Sequence, residues 1–282
     1  MENSSLVIMA GGASSRMKNS LANATVSKTV LDAARDLHKS LIPLGENGNP
    51  LLFYLFKNAI AAGITHIYLI TSKDTSGFNR FLETYKDEPG FSRLNVEFAI
   101  QHIPPTRKKP LGTADALQQC IDQYPILKEN RFTVCNGDNL YSTAVFKLLK
   151  AERKAPHAII AYSGHGLGFE DEKLAKFAVL AIDENSFLTH IIEKPGVDQL
   201  QSYKDEQGEL RISMNIFNFF GADCYPFLVN CPINPERDEK ELPEAVRNMS
   251  KANSKAVYCY PKSEKLPDLT TIADVATFKL TT

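Results

Sequence analysis

The 282-residue chain carries 32 basic and 33 acidic side chains, for a formal net charge of −1. That balance gives no global electrostatic case for binding nucleic acid or an anionic membrane surface, while small phosphorylated ligands stay open to local groups. Five cysteines, Cys120, Cys135, Cys224, Cys231 and Cys259, lack CxxC spacing, which argues against a disulfide scaffold or a zinc site and for reduced thiols in a cytoplasmic setting.

The chain is long enough to bury a sizeable core as one large α/β domain or two small ones. No stretch approaches the roughly 20 apolar residues needed to span a bilayer. The five-residue apolar run near the start has no basic leader, so it is not expected to be a signal peptide.

That run, Leu6 to Ala10, reads as a short buried strand of the kind a parallel sheet needs when both faces are covered. Gly11 and Gly12 follow, where main-chain N–H groups can approach an anion closely, and Ser14, Ser15 and Arg16 add hydroxyl and guanidinium donors. An ordinary glycine turn after a strand reads equally well, because the loop is neither GxxxxGK[ST] nor GxGxxG. Twenty-two residues separate Arg16 from Lys39. This polar excursion, with helical character around Val30 to Leu37, is either a lid on the ligand side of the sheet or a plain surface loop.

Leu52, Leu55, Phe56, Ala59 and Ile60 recur at helical spacing, Gly63 ends that helix, and Ile67 to Ile70 form a second strand. Strand, helix, strand order implies a parallel sheet with right-handed crossovers. Gly77 to Tyr85 reads as a helix and Val96 to Ile100 as a strand, with Gln101 at its C-terminal end, the edge where open α/β sheets bind ligands. A solvated loop glutamine is the alternative. Prolines stiffen the next loop, and Gly112, Thr113 and Ala114 open a helix to about Ile121 whose first N–H groups face the same crevice.

Phe132 to Cys135 form a core strand that breaks at Asn136 and Gly137, leaving Asp138 at its end. A carboxylate there suits Mg²⁺ on a nucleoside triphosphate, although Asp in a GDN sequence also favours turns for its own reasons. Downstream come a strand at His157 to Tyr162, a flexible polar loop SGHGLGFEDEKLA, and paired strands at Phe177 to Asp183 and Leu188 to Glu193. The strand Ile212 to Phe220 is interrupted by Asn215, an amide that needs a partner. A helix over Glu241 to Met249, a strand over Ala256 to Tyr260, a loop with Asp268 and a helix over Ile272 to Lys279 complete the chain. No internal repeat is present.

GGASSRM, KSLIPLG, Gln101 with LGTADA, NGD, EKP and SMNIF, in that order, resemble the sugar-phosphate nucleotidyltransferases, or nucleoside-diphosphate-sugar pyrophosphorylases, from Leu6 to about Ile272. The resemblance implies an α/β, Rossmann-like nucleotidyltransferase fold, with a mostly parallel central sheet and helices on both faces. It implies a single domain over 1–282, binding nucleotide through about 1–140 and sugar phosphate through about 141–282. The implied enzyme joins a sugar 1-phosphate to a nucleoside triphosphate and releases pyrophosphate with Mg²⁺ as cofactor. It has no nucleic-acid or membrane partner, is cytoplasmic, and could assemble as a homo-oligomer.

By the same resemblance, Ala10, Gly11, Gly12 and Ala13 hold the nucleotide, with Arg16 on the β and γ phosphates and Lys39 on the α-phosphate. Gln101, Gly112 and Thr113 hold the base, Asp138 and Asp268 hold the metal, and Glu193, Lys194 and Asn215 line the sugar phosphate. Three departures stand out: Ala13 where many relatives have glycine, Ser40 where proline is common, and Phe177–Ala178 where relatives often carry YG. GGASSRM also resembles the opening of molybdopterin guanylyltransferases and of cytidylyltransferases acting on non-sugar alcohol phosphates. A non-catalytic nucleotide-sensing module is a further alternative.

Overall fold

The computed structural model describes residues 3–23 and 26–278. Strand β1 (Ser5–Met9) lies between β2 (His66–Thr71) and β4 (Arg131–Asn136), with β3 (Asn95–Ile100) outside β2, and all of these pairings are parallel. The period of two along an extended chain sends Leu6 and Ile8 into one core and Val7 into another, and all three are fully buried. That double burial is why the run carries no polar residue.

Helices cover both faces. On the first lie α3 (Leu51–Ala61) and α4 (Ser76–Tyr85), while α1 (Ser15–Asn19) and α2 (Lys28–Asp36) belong to a separate, smaller core. Leu52, Leu55, Phe56 and Ala59 of α3 and Phe78 and Phe81 of α4 pack against Leu6 and Ile8. On the second face, α5 (Thr113–Gln123) buries Ala114, Leu117, Cys120 and Ile121 beside Val7. A single turn, α6 (Ile126–Glu129), leads into β4.

α7 (Thr143–Lys150) stands where no element was expected. Ser142 caps it by accepting the Val145 N–H at 3.3 Å, and Val145, Phe146 and Leu149 bury its inner face.

The second half extends the same sheet. β5 (His157–Ser163), β6 (Ala178–Ile182), β7 (Leu188–Ile192), β8 (Arg211–Phe220) and β9 (Val257–Lys262) complete nine strands, with the central order β3-β2-β1-β4-β8-β5-β9. Among the described residues, β8 is the one antiparallel member of that path, pairing with β4 and β5, and β9 lies parallel to β5. β6 and β7 form the expected hairpin, which joins β8 through Ala178 and Val179.

SGHGLGFEDEKLA is not an irregular loop. It folds into two helical turns, α8 (Gly164–Leu167) and α9 (Asp171–Leu174). Ser163 accepts the Gly166 N–H at 3.0 Å, and Leu167 and Leu174 are buried. Two leucines anchor a segment whose remaining residues are mostly polar, so its composition hid the anchors. α10 (Gly221–Val229) packs on the second face, where no element was expected, and α11 (Leu242–Ala252) carries the helix expected from Glu241. α12 covers Ile272–Ala276; the expected end at Lys279 lies outside the described residues.

The excursion between Arg16 and Lys39 packs into a third, smaller core. Met17 and Ala34 are fully buried there with Ile42, Leu44 and Leu51, and with Leu269, Ile272 and Val275 of the C-terminal segment. Ser20 Oγ accepts the Ile272 N–H at 2.9 Å. The glycine loop, Lys39 and the Asp268 loop are thereby braced against one another.

Candidate active site

Parallel strands end on the same edge, so the residues after β1, β3 and β4 converge. The chain after β1 runs through Gly11 to Ser14, with Ser14 in the left-handed region at φ 54°. Its hydroxyl accepts the Lys39 backbone N–H at 3.3 Å. That bond ties the far end of the excursion back to the glycine loop.

Gln101 follows β3. Its Nε2 donates to the Gly112 carbonyl at 3.2 Å, and its Oε1 lies 3.1 Å from where a Cβ on Gly11 would stand. Gly11 and Gln101 are therefore neighbours, as their strand ends imply. Gly112 has φ +122°, and a Cβ there would stand 2.8 Å from the Lys240 amide nitrogen and closer still to its carbonyl oxygen. Only glycine suits that backbone and that approach. The turn is stitched to the start of α11, since Ala114 N–H donates to Lys240 O at 3.0 Å and Leu242 N–H to Thr113 Oγ1 at 2.9 Å.

The Lys39 ammonium donates to Asp138 Oδ2, and the two side chains are 16% and 17% exposed. Asp138 stands immediately after the NG break that ends β4. The loop carrying Asp268 runs antiparallel beside it: Leu269 N–H donates to the Asp138 carbonyl at 2.9 Å, and Asn139 pairs with Asp268 as an isolated bridge. Asn139 Nδ2 donates to Asp268 Oδ1 at 3.0 Å, and the Thr270 hydroxyl donates to Oδ2 at 2.8 Å. Burial, followed by the neighbouring Asp138 charge, raises the Asp268 pKa, while Thr270, Lys173 and Lys39 oppose the rise. Asp138 and Asp268 thus stand close enough to feel each other's charge, with the Lys39 ammonium on the first.

His38 also adjoins the pair. Its Nδ1 accepts the Ser40 N–H at 3.2 Å and lies 2.8 Å from the Ser40 hydroxyl. Burial pushes its pKa down to about 4, with Lys39 and Lys18 lowering it further against the pull of Asp138. The imidazole is neutral at pH 7, and with Nδ1 an acceptor its proton sits on Nε2.

Two hollows open on this edge. One, of about 450 Å³, is lined by Ala10, Gly11, Gly12, Ala13, Gln101 and Lys18, among others. The larger, of about 790 Å³, is lined by Arg16, Thr113, Asp138, Glu193, Lys194 and Asn215, with Asp268 at its side. Lys39 and Gly112 line neither; Lys39 is bonded to Asp138, which lines the larger, and the Gly112 carbonyl accepts from Gln101, which lines the smaller.

The residues expected to line the sugar phosphate arrive from the second half. Glu193 and Lys194 follow β7, and Lys194 has φ 45°. Burial, then the nearby Glu241, raises the Glu193 pKa, opposed by Lys194, Arg237 and Arg247. Asn215 sits mid-strand in β8 at φ 55°, where the β5–β8 register shifts between Ile159 and Ala161. The bulge turns its side of the strand toward the larger cleft. The buried Tyr141 hydroxyl braces it by donating to the Met214 carbonyl at 2.6 Å.

Several participants escaped the sequence reading. Asn139 stood next to the NGD motif and could have been found as its continuation. The Ser14 hydroxyl accepts from the Lys39 backbone, a tie between the two segments that no motif marks. Glu241, Arg237, Lys173 and Lys176 line the larger cleft from segments with no motif to mark them. Arg237 and Glu241 form an ion pair, and Asn234 Nδ2 donates to Glu241 Oε2 at 2.8 Å. All five cysteines are free and buried, and among the described residues no group of three or more His, Cys, Asp or Glu could hold a metal. No helix among them is long and apolar enough to cross a membrane.

The wheat (Triticum aestivum) protein "Glucose-1-phosphate adenylyltransferase small subunit, chloroplastic/amyloplastic" is 27% identical over 172 residues, which cover 58% of this chain and 35% of that protein. The match thus spans about a third of that relative's length. A solved structure described as UDP-glucose pyrophosphorylase complexed with UDP-glucose superposes with a TM-score of 0.71 at 14% identity, covering 97% of this chain and 96% of that one. That likeness establishes the fold. A family model described as "Nucleotidyl transferase" matches residues 5–277, nearly the whole chain, and with the fold and the convergent strand-end site it identifies this protein as a member of the nucleotidyl transferase family.

Proposed function

We propose that this chain joins a sugar 1-phosphate to a nucleoside triphosphate, forming a nucleoside-diphosphate sugar and releasing pyrophosphate. The observation that carries this reading is the convergence of Asp138 and Asp268, with Lys39 on Asp138, beside the cleft that Glu193, Lys194 and Asn215 also line. The glycine-loop hollow with Gln101 takes the base and ribose, and the larger cleft, which Arg16, Asp138 and Asp268 also line, takes the phosphates of the nucleotide together with the sugar phosphate. The whole chain acts as one domain, 1–140 serving the nucleotide and 141–282 the sugar phosphate.

The acceptor phosphate is already ionised at neutral pH, so no strong general base is required. Its oxygen attacks the α-phosphorus in line, and the bond to the pyrophosphate oxygen breaks. The difficulty is bringing two anions together, and catalysis is positioning plus charge stabilisation. Lys39, bonded to Asp138 at the cleft edge, serves the α-phosphate, Arg16 takes the β and γ phosphates, and Lys194 takes the acceptor phosphate. Glu193 and Asn215 orient the sugar hydroxyls.

Mg²⁺ fits this donor set, because it binds through one or two carboxylates and keeps its other positions for water and phosphate oxygens. Asp138 and Asp268 would hold it, and when bound it neutralises charge on the α-phosphate and the leaving group. Five buried free thiols suit the reducing cytoplasm.

The test is pyrophosphate release by the purified protein with Mg²⁺, ATP, CTP, GTP, UTP or dTTP, and a panel of hexose and N-acetylhexosamine 1-phosphates. At least one pair should release pyrophosphate and yield the matching nucleotide sugar by mass spectrometry. Absence of product with every pair would overturn the proposal.

A further inference from the structure

Each of the two converging carboxylates has its own lysine, on different terms. Lys39 is bonded directly to Asp138. Lys173, from α9, keeps its Nζ 3.9 Å from Asp268 Oδ2 and 3.9 Å from the centroid of the Phe169 ring. The position is built: the next residue, Leu174, is buried, and the Lys173 N–H donates to the Glu170 carbonyl at 2.9 Å.

Asp268 already has partners for both oxygens, in Asn139 and Thr270. Lys173 is therefore close enough to feel that carboxylate yet makes no hydrogen bond to it. A loosely paired ammonium on the wall of a phosphate cleft keeps its three donors for an incoming anion. Its side chain is 35% exposed and the Asp268 side chain 7%, so Lys173 is the member free to turn toward a ligand.

Lys173 lines the larger cleft, which Arg16 and Asp138 share with Glu193, Lys194 and Asn215, and it does not line the glycine-loop hollow. It comes from α9, in the half of the chain that also carries Glu193, Lys194 and Asn215 and to which the sugar phosphate is assigned above. Stacking on Phe169 holds the ammonium there by a cation–π contact. We propose that Lys173 binds the phosphate of the acceptor sugar 1-phosphate, waiting beside Asp268 as its counter-ion until that phosphate arrives. This rests on the nucleotidyl-transfer reading above and adds a residue outside its motifs.

The test compares wild type with Lys173→Met, which keeps the apolar stem, and Lys173→Arg, which keeps the charge. In steady-state pyrophosphate release, Lys173→Met should raise KM for the sugar 1-phosphate tenfold or more and leave KM for the nucleoside triphosphate within twofold; Lys173→Arg should recover most of the loss. Titration with Mn²⁺ alone, followed by electron paramagnetic resonance, gives a readout free of turnover. Without the competing ammonium, Lys173→Met should bind Mn²⁺ at least threefold more tightly, and Lys173→Arg should match wild type.

Unchanged KM for the sugar phosphate, an equal rise in both KM values, or unchanged Mn²⁺ affinity would overturn the role given to Lys173. An inactive wild type with every substrate pair would instead bring down the parent reading and this role with it, so the two failures are distinguishable.

Discussion

Replacing Asp138 by asparagine removes one charge and leaves nearly the same shape. In the folded protein the Asp138 carboxylate holds the Lys39 ammonium and stands beside Asp268, so the substitution has two opposed effects on stability. It strands an ammonium whose side chain is only 16% exposed, and it relieves repulsion between two carboxylates. Breaking a fully buried pair costs about 3–5 kcal/mol and an exposed pair about 0–1. A pair at the cleft edge, discounted for solvent and for the relieved repulsion, should cost about 1 kcal/mol, which for a chain of this size lowers Tm by roughly 2–4 °C.

The effect on turnover should be far larger. Losing one preorganised transition-state contact costs about 100- to 1,000-fold in rate, and the neutral amide would both weaken metal binding and release Lys39 from its place. The assay is steady-state pyrophosphate release with the best substrate pair, alongside circular dichroism to establish folding. A folded Asp138→Asn protein with kcat/KM within tenfold of wild type would refute the reasoning.

Lys39→Ala should likewise reduce kcat by about 100-fold or more while the circular dichroism spectrum is unchanged; wild-type kcat would exclude its role at the α-phosphate. Gln101→Leu should raise KM for the nucleoside triphosphate about tenfold, the order expected for a lost hydrogen bond to a bound base, with KM for the sugar phosphate within twofold; the reverse pattern would remove Gln101 from the nucleotide. Gly112→Ala puts a Cβ at φ +122° against the Lys240 backbone, and should cost about 2 kcal/mol or more and several degrees of Tm. A Tm unchanged from wild type would show that this turn relaxes freely.

The fifth expectation concerns acid. His157 is 1% exposed, and burial, aided by Arg153 and Arg131, pushes its pKa down from 6.5 to about 3. The unfolded chain therefore binds the extra proton first, so stability is retained above about pH 6.5 and lost progressively as pH falls toward 3. Urea denaturation at neutral pH and at two mildly acidic values below 6.5 should show His157→Gln losing less stability over that interval than wild type; parallel curves would contradict the assignment.

How the fold arises divides by the range of the interactions. Local pattern sufficed for β1, whose unbroken apolar run follows from burial on both faces, and for α3, whose Leu52, Leu55, Phe56 and Ala59 keep helical spacing. It failed for α9, because one buried leucine in a polar stretch gives no periodicity, whereas α7 does carry a local signal in Val145, Phe146 and Leu149 behind the Ser142 cap. Strand ends were legible too: parallel β1, β3 and β4 bring Gly11, Gln101 and Asp138 to one edge.

The sequence by itself determined the α/β class, the strand-end motifs and their order, since these depend on residue type and near-neighbour spacing. Only the tertiary structure decided that Lys39 bonds Asp138, that Asp268 meets Asn139 across 129 positions of chain, and that Lys173 faces both the cleft and Asp268. Such contacts follow from register, from the third core that braces the segment around Met17 and Ala34 against Leu269 and Ile272, and from the bulge at Asn215. None of those is written in the spacing of any one segment.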